Sequence, residues 1–145
     1  MTAGPFAVVT ALSLLVAGCA ATPYQPMNLE GGYASTRAGA DTFNVIFQGN
    51  AHTPRATAEA YALYRSAELI AEAGFDYFIV MGGTSGATAL REAARNPTPR
   101  PEDSDDTHLP MVSITVRAFR GERPSPDAFN AQEILEELGP RIRRR

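Results

Sequence analysis

A strand, a helix and a second strand follow one another in the middle of this sequence, and this order limits the possible folds more than any other feature. Apolar residues recur at every second position of residues 42–49, which is typical of a strand with one buried face. Residues 53–73 have the helical period, and residues 75–81 form a nearly continuous apolar run that predicts a central strand buried on both faces. Two strands joined through a helix predict a parallel pair with a right-handed crossover, and therefore an α/β domain.

The predicted helix has recognisable ends and one apolar face. Thr53 is expected to cap its first turn, Pro54 fits the first helical position, and Gly74 supplies the stop. The apolar stripe is about 120° wide and carries Ala60, Leu63, Tyr64, Ala67, Ile70, Ala71 and Gly74. Outside the stripe, Glu68 and Glu72 are like charges one turn apart, which predicts that one of them pairs with an arginine elsewhere.

The second half of the chain adds a third strand and a second helix. Residues 111–119 alternate again and predict a strand that is antiparallel to its neighbour. Its buried face is expected to carry Val112, Ile114, Val116 and Ala118. The second helix opens at Pro126, stops at Gly139, and has the apolar positions Ala131, Ile134, Leu135 and Leu138. We therefore predict a small two-layer α/β sandwich over residues 41–140, with about three core strands in the order β-α-β-β-α and the strand order left open.

An apolar segment near the start of the chain ends at its only cysteine, Cys19. Residues 6–16 are nearly all apolar, but a bilayer needs about 20 such residues, so the run fits the core of a secretory signal instead. Residues 16–19, Val-Ala-Gly-Cys, resemble the lipobox of bacterial lipoproteins. That resemblance implies a diacylglyceryl group on the Cys19 thiol and removal of residues 1–18. An ordinary signal peptide with a chance cysteine and a buried N-terminal helix are the alternatives.

Residues 19–40 predict a flexible tether between the anchor and the domain. Prolines and glycines interrupt any apolar period there, at Pro23, Pro26, Gly31, Gly32 and Gly39. Removing 18 of the 145 residues would leave 127, which is enough for one domain with a sizeable core. Ala20 follows the cysteine, and in lipoproteins of enteric-type bacteria a residue other than Asp there implies transfer to the outer membrane.

The charges of the chain limit its partners. All 13 basic residues are arginines, and the net charge of −3 argues against a general nucleic-acid-binding protein. The single cysteine excludes an intramolecular disulfide framework. Four arginines fall within residues 141–145, which predicts a solvated basic tail. Contact of this tail with anionic lipid or a cell-wall polymer is the alternative.

A glycine-rich loop follows the second predicted strand and consists of Gly82, Gly83, Thr84, Ser85 and Gly86. A loop between a strand and a helix can bind an anion through its amide groups. The spacings of a phosphate-binding loop and of a dinucleotide fingerprint are both absent. We favour a simple turn. An anion-binding domain, or a small periplasmic enzyme using Gly82–Gly86, is the alternative.

Residues 96–110 predict a loop that carries an acidic cluster of Glu102, Asp103, Asp105 and Asp106, followed by His108. Oxygen clusters attract hard cations, but the calcium-loop spacing is absent, so we favour a solvated loop and predict no metal site and no cofactor. His52 and His108 are the only histidines, and neither belongs to a pattern that predicts a Ser–His–Asp triad.

A series of short motifs runs along residues 19–80. These motifs are residues 19–26, Gly32 and Tyr33, Thr36 and Arg37, Phe43, Val45, Phe47, Gly49 and Asn50, Tyr64 and Arg65, residues 67–69, and residues 74–78. In this order they resemble a family of small, uncharacterised envelope lipoproteins of stalked bacteria and their relatives. The resemblance implies lipidation at Cys19 and an α/β fold. It implies no catalytic residue, because the family has no assigned activity.

These features together predict a lipid-anchored protein of the cell envelope, held through Cys19 and facing the periplasm from the outer membrane. Its domain is expected to be a non-catalytic binding or structural module. The expected partners are the membrane and an unknown envelope protein or cell-wall component, with no nucleic acid. A pocket with converging titratable groups would favour an enzyme, whereas an open sheet face or an apolar patch would favour a partner.

Overall fold

A computed structural model describes residues 20–96 and 109–144 as a five-stranded sheet with three helices. The elements are β1 (Gly32–Arg37), β2 (Thr42–Gln48), α1 (Arg55–Glu72), β3 (Tyr77–Gly83), α2 (Ala87–Arg95), β4 (Met111–Phe119), β5 (Phe129–Asn130) and α3 (Ala131–Leu138). The sheet is antiparallel throughout, in the order β1-β2-β4-β3-β5. Helix α1 packs on the sheet, and α2 and α3 pack against α1. The predicted α/β class is confirmed, but the predicted three-strand core is wrong because the sheet has five strands.

Strand β4 lies between β2 and β3, so the predicted hydrogen-bonded parallel pair does not form. Both β2 and β3 are antiparallel to β4, which leaves them parallel to each other but not adjacent. In the register, Val45 lies opposite Ile114 and Val80 lies opposite Val116. The alternating pattern correctly predicted the buried faces of β2 and β4. Alternation determines which face of a strand is buried but not which strands become its neighbours.

The segment expected to be a tether is built into the domain, which corrects the prediction for residues 20–40. Strand β1 pairs along its full length with β2, and Gln25 and Met27 bond to its Tyr33 through their backbones. Gly31 and Gly32 have φ angles of 98° and 136°, and a Cβ on either would lie within 2.4 Å of a backbone oxygen. These glycines allow close backbone approach. They resemble a linker in composition because a flexible chain and a crowded turn both favour glycine.

Strand β3 is buried on one face only, which corrects the prediction of a central strand buried on both. Phe78 is buried, whereas Tyr77 and Ile79 are half-exposed and Met81 is exposed. The helix α1 covers the face that carries Phe78, and the side chains on the other face of β3 remain partly open to solvent. An apolar run alone does not show how many layers cover a sheet.

Helix α1 ends as predicted but starts differently. Gly74 has a φ angle of 80°, and its amide donates to Ala71 O while the Phe75 amide donates to Ile70 O, which closes the last turn. Of the predicted stripe, Ala60, Leu63, Tyr64, Ala67 and Ile70 are buried, and Ala71 and Gly74 are exposed. The helix cap is Pro54, and no side chain caps it. The Thr53 side chain bonds elsewhere, as described below.

After β4, the start of α3 and the segment that follows α3 both differ from the prediction. Helix α3 starts at Ala131, five residues after Pro126, because Asn130 Oδ1 accepts the Glu133 amide at 3.0 Å and caps it. A single 3-10 turn, Gly139–Arg141, follows the helix. The three arginines of residues 141–144 are exposed, as predicted for a solvated tail, but the segment is not free, because its backbone and side chains also contact α1 and the N-terminal segment.

Candidate functional site

The lipidation candidate Cys19 lies outside the described residues, but the residues after it are held tightly. Asn50 Nδ2 donates to the Ala20 carbonyl oxygen at 2.8 Å. The Thr22 amide donates to Thr53 Oγ1 at 2.9 Å, and the Thr22 hydroxyl accepts the Asn50 amide at 2.8 Å. Thr22 is only 2% exposed. The domain therefore begins one residue beyond Cys19.

The turn that receives this segment is formed by Gly49, Asn50 and Thr53. A Cβ on Gly49 would lie 2.5 Å from Thr53 Cβ, so a glycine is needed for the turn to close. Asn50 Oδ1 accepts the His52 amide at 2.9 Å and the Thr53 hydroxyl at 2.9 Å. The sequence pattern predicts that Thr53 caps the helix, whereas its hydroxyl bonds to the Thr22 amide instead. The only sequence signal for this turn is the local cluster of small polar residues. Such a cluster does not show that Thr53 bonds to Thr22, which lies 31 residues away.

A second cluster joins the N-terminal segment, α1 and the C-terminal segment around Glu68. The Tyr24 hydroxyl donates to Glu68 Oε2. Arg65 Nη1 donates to the same oxygen at 3.2 Å, and Arg144 Nη2 donates to Glu68 Oε1 at 3.3 Å and to the Tyr64 hydroxyl at 3.1 Å. The prediction that Glu68 or Glu72 pairs with an arginine is confirmed for Glu68. We call Tyr24, Arg65, Glu68 and Arg144 the tyrosine clamp.

Aromatic side chains surround the tyrosine clamp. The Tyr24 ring lies 4.6 Å from that of Tyr33, 5.2 Å from that of Tyr64 and 5.6 Å from that of Tyr61. The Arg65 guanidinium lies 4.5 Å above the Tyr33 ring. In addition, the Tyr24 amide donates to the Arg143 carbonyl oxygen at 2.7 Å. The segments at the two ends of the described chain are thus bonded to each other beside α1.

Three residues of the tyrosine clamp, Tyr24, Arg65 and Arg144, have a raised pKa. Burial raises the pKa of Tyr24 far above its ordinary value, and its bond to Glu68 raises it further, so the phenol stays neutral. Burial alone would lower the pKa of Arg65, but its bond to Glu68 and the nearby Tyr24 outweigh this and raise it. The bond to Tyr64 raises the pKa of Arg144. A group that holds one protonation state is suited to a structural lock and not to proton transfer.

The glycine-rich loop is folded as an extension of β3 and bonded within the chain. Gly83 has a φ angle of 132°, and a Cβ there would lie 2.0 Å from Ser113 O. The Thr84 amide donates to that same Ser113 oxygen at 2.8 Å. The Gly86 carbonyl oxygen accepts the Leu90 amide in the first turn of α2. Gly82 belongs to β3 opposite Thr115.

A carboxylate of the chain itself lies against this loop. The Ser85 hydroxyl donates to Glu59 Oε1 at 2.9 Å, and Glu59 is buried. Arg55 pairs with the same oxygen at 3.4 Å and donates to Thr84 O at 3.0 Å. The structure therefore brings the loop together with two α1 residues that sequence analysis did not connect to it. The spacing of Arg55 and Glu59, one helical turn apart, was visible in the sequence, but their contact with Ser85 depends on the fold.

A shallow pocket of about 160 Å³ lies between α2 and α3. It is lined by Arg91, Ala94, Arg95, Arg123, Ala128, Phe129, Asn130, Glu133, Ile134 and Glu137. Ligand pockets are commonly about 300–1,000 Å³, so this one is small. Within it Arg123 and Glu133 approach each other to 3.8 Å. Within the described residues, the groups with a shifted pKa are Tyr24, Arg65, Arg144 and Asp41, and none of them lines this pocket.

Residues 20–96 and 109–144 include no group of three His, Cys, Asp or Glu side chains that could hold a metal ion. The acidic cluster from Glu102 to Asp106, and His108, lie outside the described residues. In the same part of the chain, no helix is both long enough and apolar enough to cross a membrane.

Comparison of the chain with protein-family models, with curated proteins and with solved structures found no match. Its function is therefore inferred from its own residues.

Proposed function

We propose that this protein is a lipid-anchored lipoprotein of the cell envelope, with residues 1–18 as its signal peptide and Cys19 as its anchor. The observation that carries the proposal is the position of the only cysteine, directly after Val-Ala-Gly and at the end of an apolar run too short to span a bilayer. Ala20 after the cysteine supports outer-membrane placement, facing the periplasm. The short motifs of residues 19–80 support membership in the small envelope lipoprotein family that they resemble.

We further propose that the domain is a non-catalytic binding or structural module, acting on an envelope protein or a cell-wall component. The pocket between α2 and α3 is smaller than most ligand sites. The shifted groups Tyr24, Arg65 and Arg144 all bond to Glu68 in the tyrosine clamp, and they do not line the pocket between α2 and α3. The Thr84 amide and hydroxyl bond to Ser113 and the Ser85 hydroxyl bonds to Glu59, which leaves less support for the alternative of an anion site there.

The test of lipidation is the variant Cys19→Ala, expressed as the full chain in a bacterial host. We expect the wild-type protein to incorporate radioactive palmitate and to be processed before Cys19, and we expect Cys19→Ala to do neither. Adding Ala51→Cys to the Cys19→Ala variant puts a thiol at an exposed position nearby and should not restore the label. A wild-type protein that is soluble, unlabelled and cut elsewhere would contradict the proposal.

A further inference from the structure

Exposed large apolar side chains gather at the end of the domain where the chain enters it. The five such residues in the described part of the chain are Met27, Leu29, Met81, Leu109 and Met111. Four of them, all except Met81 on the bulge of β3, belong to segments at this end. We call Met27, Leu29, Leu109 and Met111 the anchor face.

The sheet register shows that these segments are neighbours. Gly32 at the start of β1 and Met111 at the start of β4 both lie opposite Gln48, the last residue of β2. Next to this pair, the Gly49 amide donates to the Pro110 carbonyl oxygen at 2.8 Å. Leu109 and Met111 therefore stand beside the turn of Gly49 and Asn50, which holds Ala20 and Thr22.

A tight turn places Leu29 at the tip of this end. Asn28 and Gly31 exchange two backbone hydrogen bonds of 3.2 and 3.1 Å, which leaves Leu29 and Glu30 as the two residues of the turn. The Leu29 side chain is fully exposed. The Thr22 hydroxyl donates to the Glu30 carbonyl oxygen at 3.1 Å, so the turn is bonded directly to the segment that follows Cys19. An apolar side chain that is fully exposed at a fixed position is typical of a surface that contacts a partner or a membrane.

We propose that the anchor face lies on the membrane and inserts its apolar side chains among the lipid headgroups and upper acyl chains. The proposal rests on lipidation of Cys19 as proposed above. Consecutive Cα atoms are about 3.8 Å apart, so an acylated Cys19 holds Ala20 at the membrane surface. Because Ala20 is bonded to Asn50, the turn of Gly49 and Asn50, which bonds to Pro110 between Leu109 and Met111, is held close to the lipid.

The short connection also favours the contact energetically. A surface that is already held at the membrane binds it as an intramolecular event, so even a few apolar side chains are enough to keep it there. Leucine and methionine side chains insert into the lipid interface through burial of apolar surface and need no anionic lipid. A basic patch, by contrast, binds a membrane through its anionic headgroups. The occupant is therefore the phospholipid interface itself, and vesicles of phosphatidylcholine alone should support it.

The lone cysteine makes a direct test possible. Since lipidation consumes the Cys19 thiol, each of the variants Leu29→Cys, Met111→Cys and Ala40→Cys of the full lipidated protein carries one free thiol for an environment-sensitive fluorophore. Ala40 is exposed in the turn after β1, at the opposite end of the sheet, and a six-residue strand spans about 20 Å, so it is the matched control. The proteins are reconstituted in phosphatidylcholine vesicles, with and without a lipid-borne quencher.

We expect blue-shifted emission and strong quenching for the probes at 29 and 111, and water-like, unquenched emission for the probe at 40. Palmitate labelling of the same variants is measured alongside. A labelled protein whose probes at 29 and 111 are as hydrated as the probe at 40 would overturn the anchor face alone. A protein without palmitate would overturn the proposed lipidation, and the anchor face with it.

Discussion

The Tyr24 hydroxyl donates a hydrogen bond to the carboxylate of Glu68 and so joins the fifth residue after Cys19 to helix α1. The same carboxylate accepts Arg144 from the other end of the described chain. The segment after the anchor candidate and the segment after α3 are therefore parts of the folded domain. Disturbing either should affect the stability of the whole.

The variant Tyr24→Phe removes one hydroxyl and keeps the ring contacts. Hydrogen bonds to charged groups contribute about 1.5–3 kcal/mol, so we expect a loss of that order in the free energy of unfolding, measured with urea. Tyr33→Phe is the matched control, because its ring keeps the contact with Arg65, and it should change stability by less than about 0.5 kcal/mol. Equal losses in the two variants would show that the Tyr24 hydroxyl has no special role.

The stability of the wild-type protein should fall at alkaline pH partly because of Tyr24. Burial raises the pKa of Tyr24 in the folded state, whereas an unfolded tyrosine titrates near pH 10. The stabilisation from this group is therefore fully present below about pH 10 and is lost as the pH rises further. Urea unfolding at about pH 8 and pH 11 should show a larger loss for wild type than for Tyr24→Phe. Parallel losses in both proteins would contradict the shifted titration.

Introducing a charge at position 67 of α1 should lower the stability more than removing the charge of Glu68. Ala67 is buried, and Ala67→Glu would place a carboxylate in the core, at an expected cost of about 4 kcal/mol or more. Glu68→Ala leaves the Tyr24 hydroxyl and two arginines without their acceptor, at a cost of about 2–3 kcal/mol. The exposed Glu72→Ala is the control and should change little. Equal melting temperatures for Ala67→Glu and Glu68→Ala would contradict this orientation of the helix.

The two adjacent glycines of β3 should differ sharply. An alanine at position 83 would put Cβ 2.0 Å from Ser113 O at a φ angle of 132°, so we expect Gly83→Ala to destabilise the domain by about 2 kcal/mol or more. Gly82→Ala meets no atom within 4 Å and should be nearly neutral. Thermal unfolding of both variants checks this, and similar melting temperatures would show that β3 relaxes away from β4 at low cost.

The glycine-rich loop should not bind nucleotide. Its Thr84 amide is bonded to Ser113 and its Ser85 hydroxyl to Glu59, and it lacks the lysine of a phosphate-binding loop. Calorimetric titration of the wild-type protein with ATP and with NAD should therefore show no saturable heat. Saturable binding that disappears in Arg55→Ala, a partly exposed side chain beside the loop, would establish the anion site instead.

Periodicity in the sequence was enough to identify the main elements of the core. Phe43, Val45 and Phe47 of β2 are buried as their spacing predicts, and so are Val112, Ile114 and Val116 of β4. Helix α1 and its stop at Gly74 were also predictable. These features could be predicted because side-chain burial within one strand or helix follows from residues close in sequence.

The sequence by itself determined the location of the strands β2, β3 and β4, the helix α1, and a lone cysteine placed as in a lipoprotein signal. Only the tertiary structure decided that β4 lies between β2 and β3, that residues 20–40 are part of the domain, and that Glu68 bonds to Tyr24 and Arg144. The bond from the Thr22 amide to Thr53 joins residues 31 positions apart, and the bond from Arg144 to Glu68 joins residues 76 positions apart. Contacts of this kind depend on how whole elements pack against each other, and no local pattern of residue types records that choice.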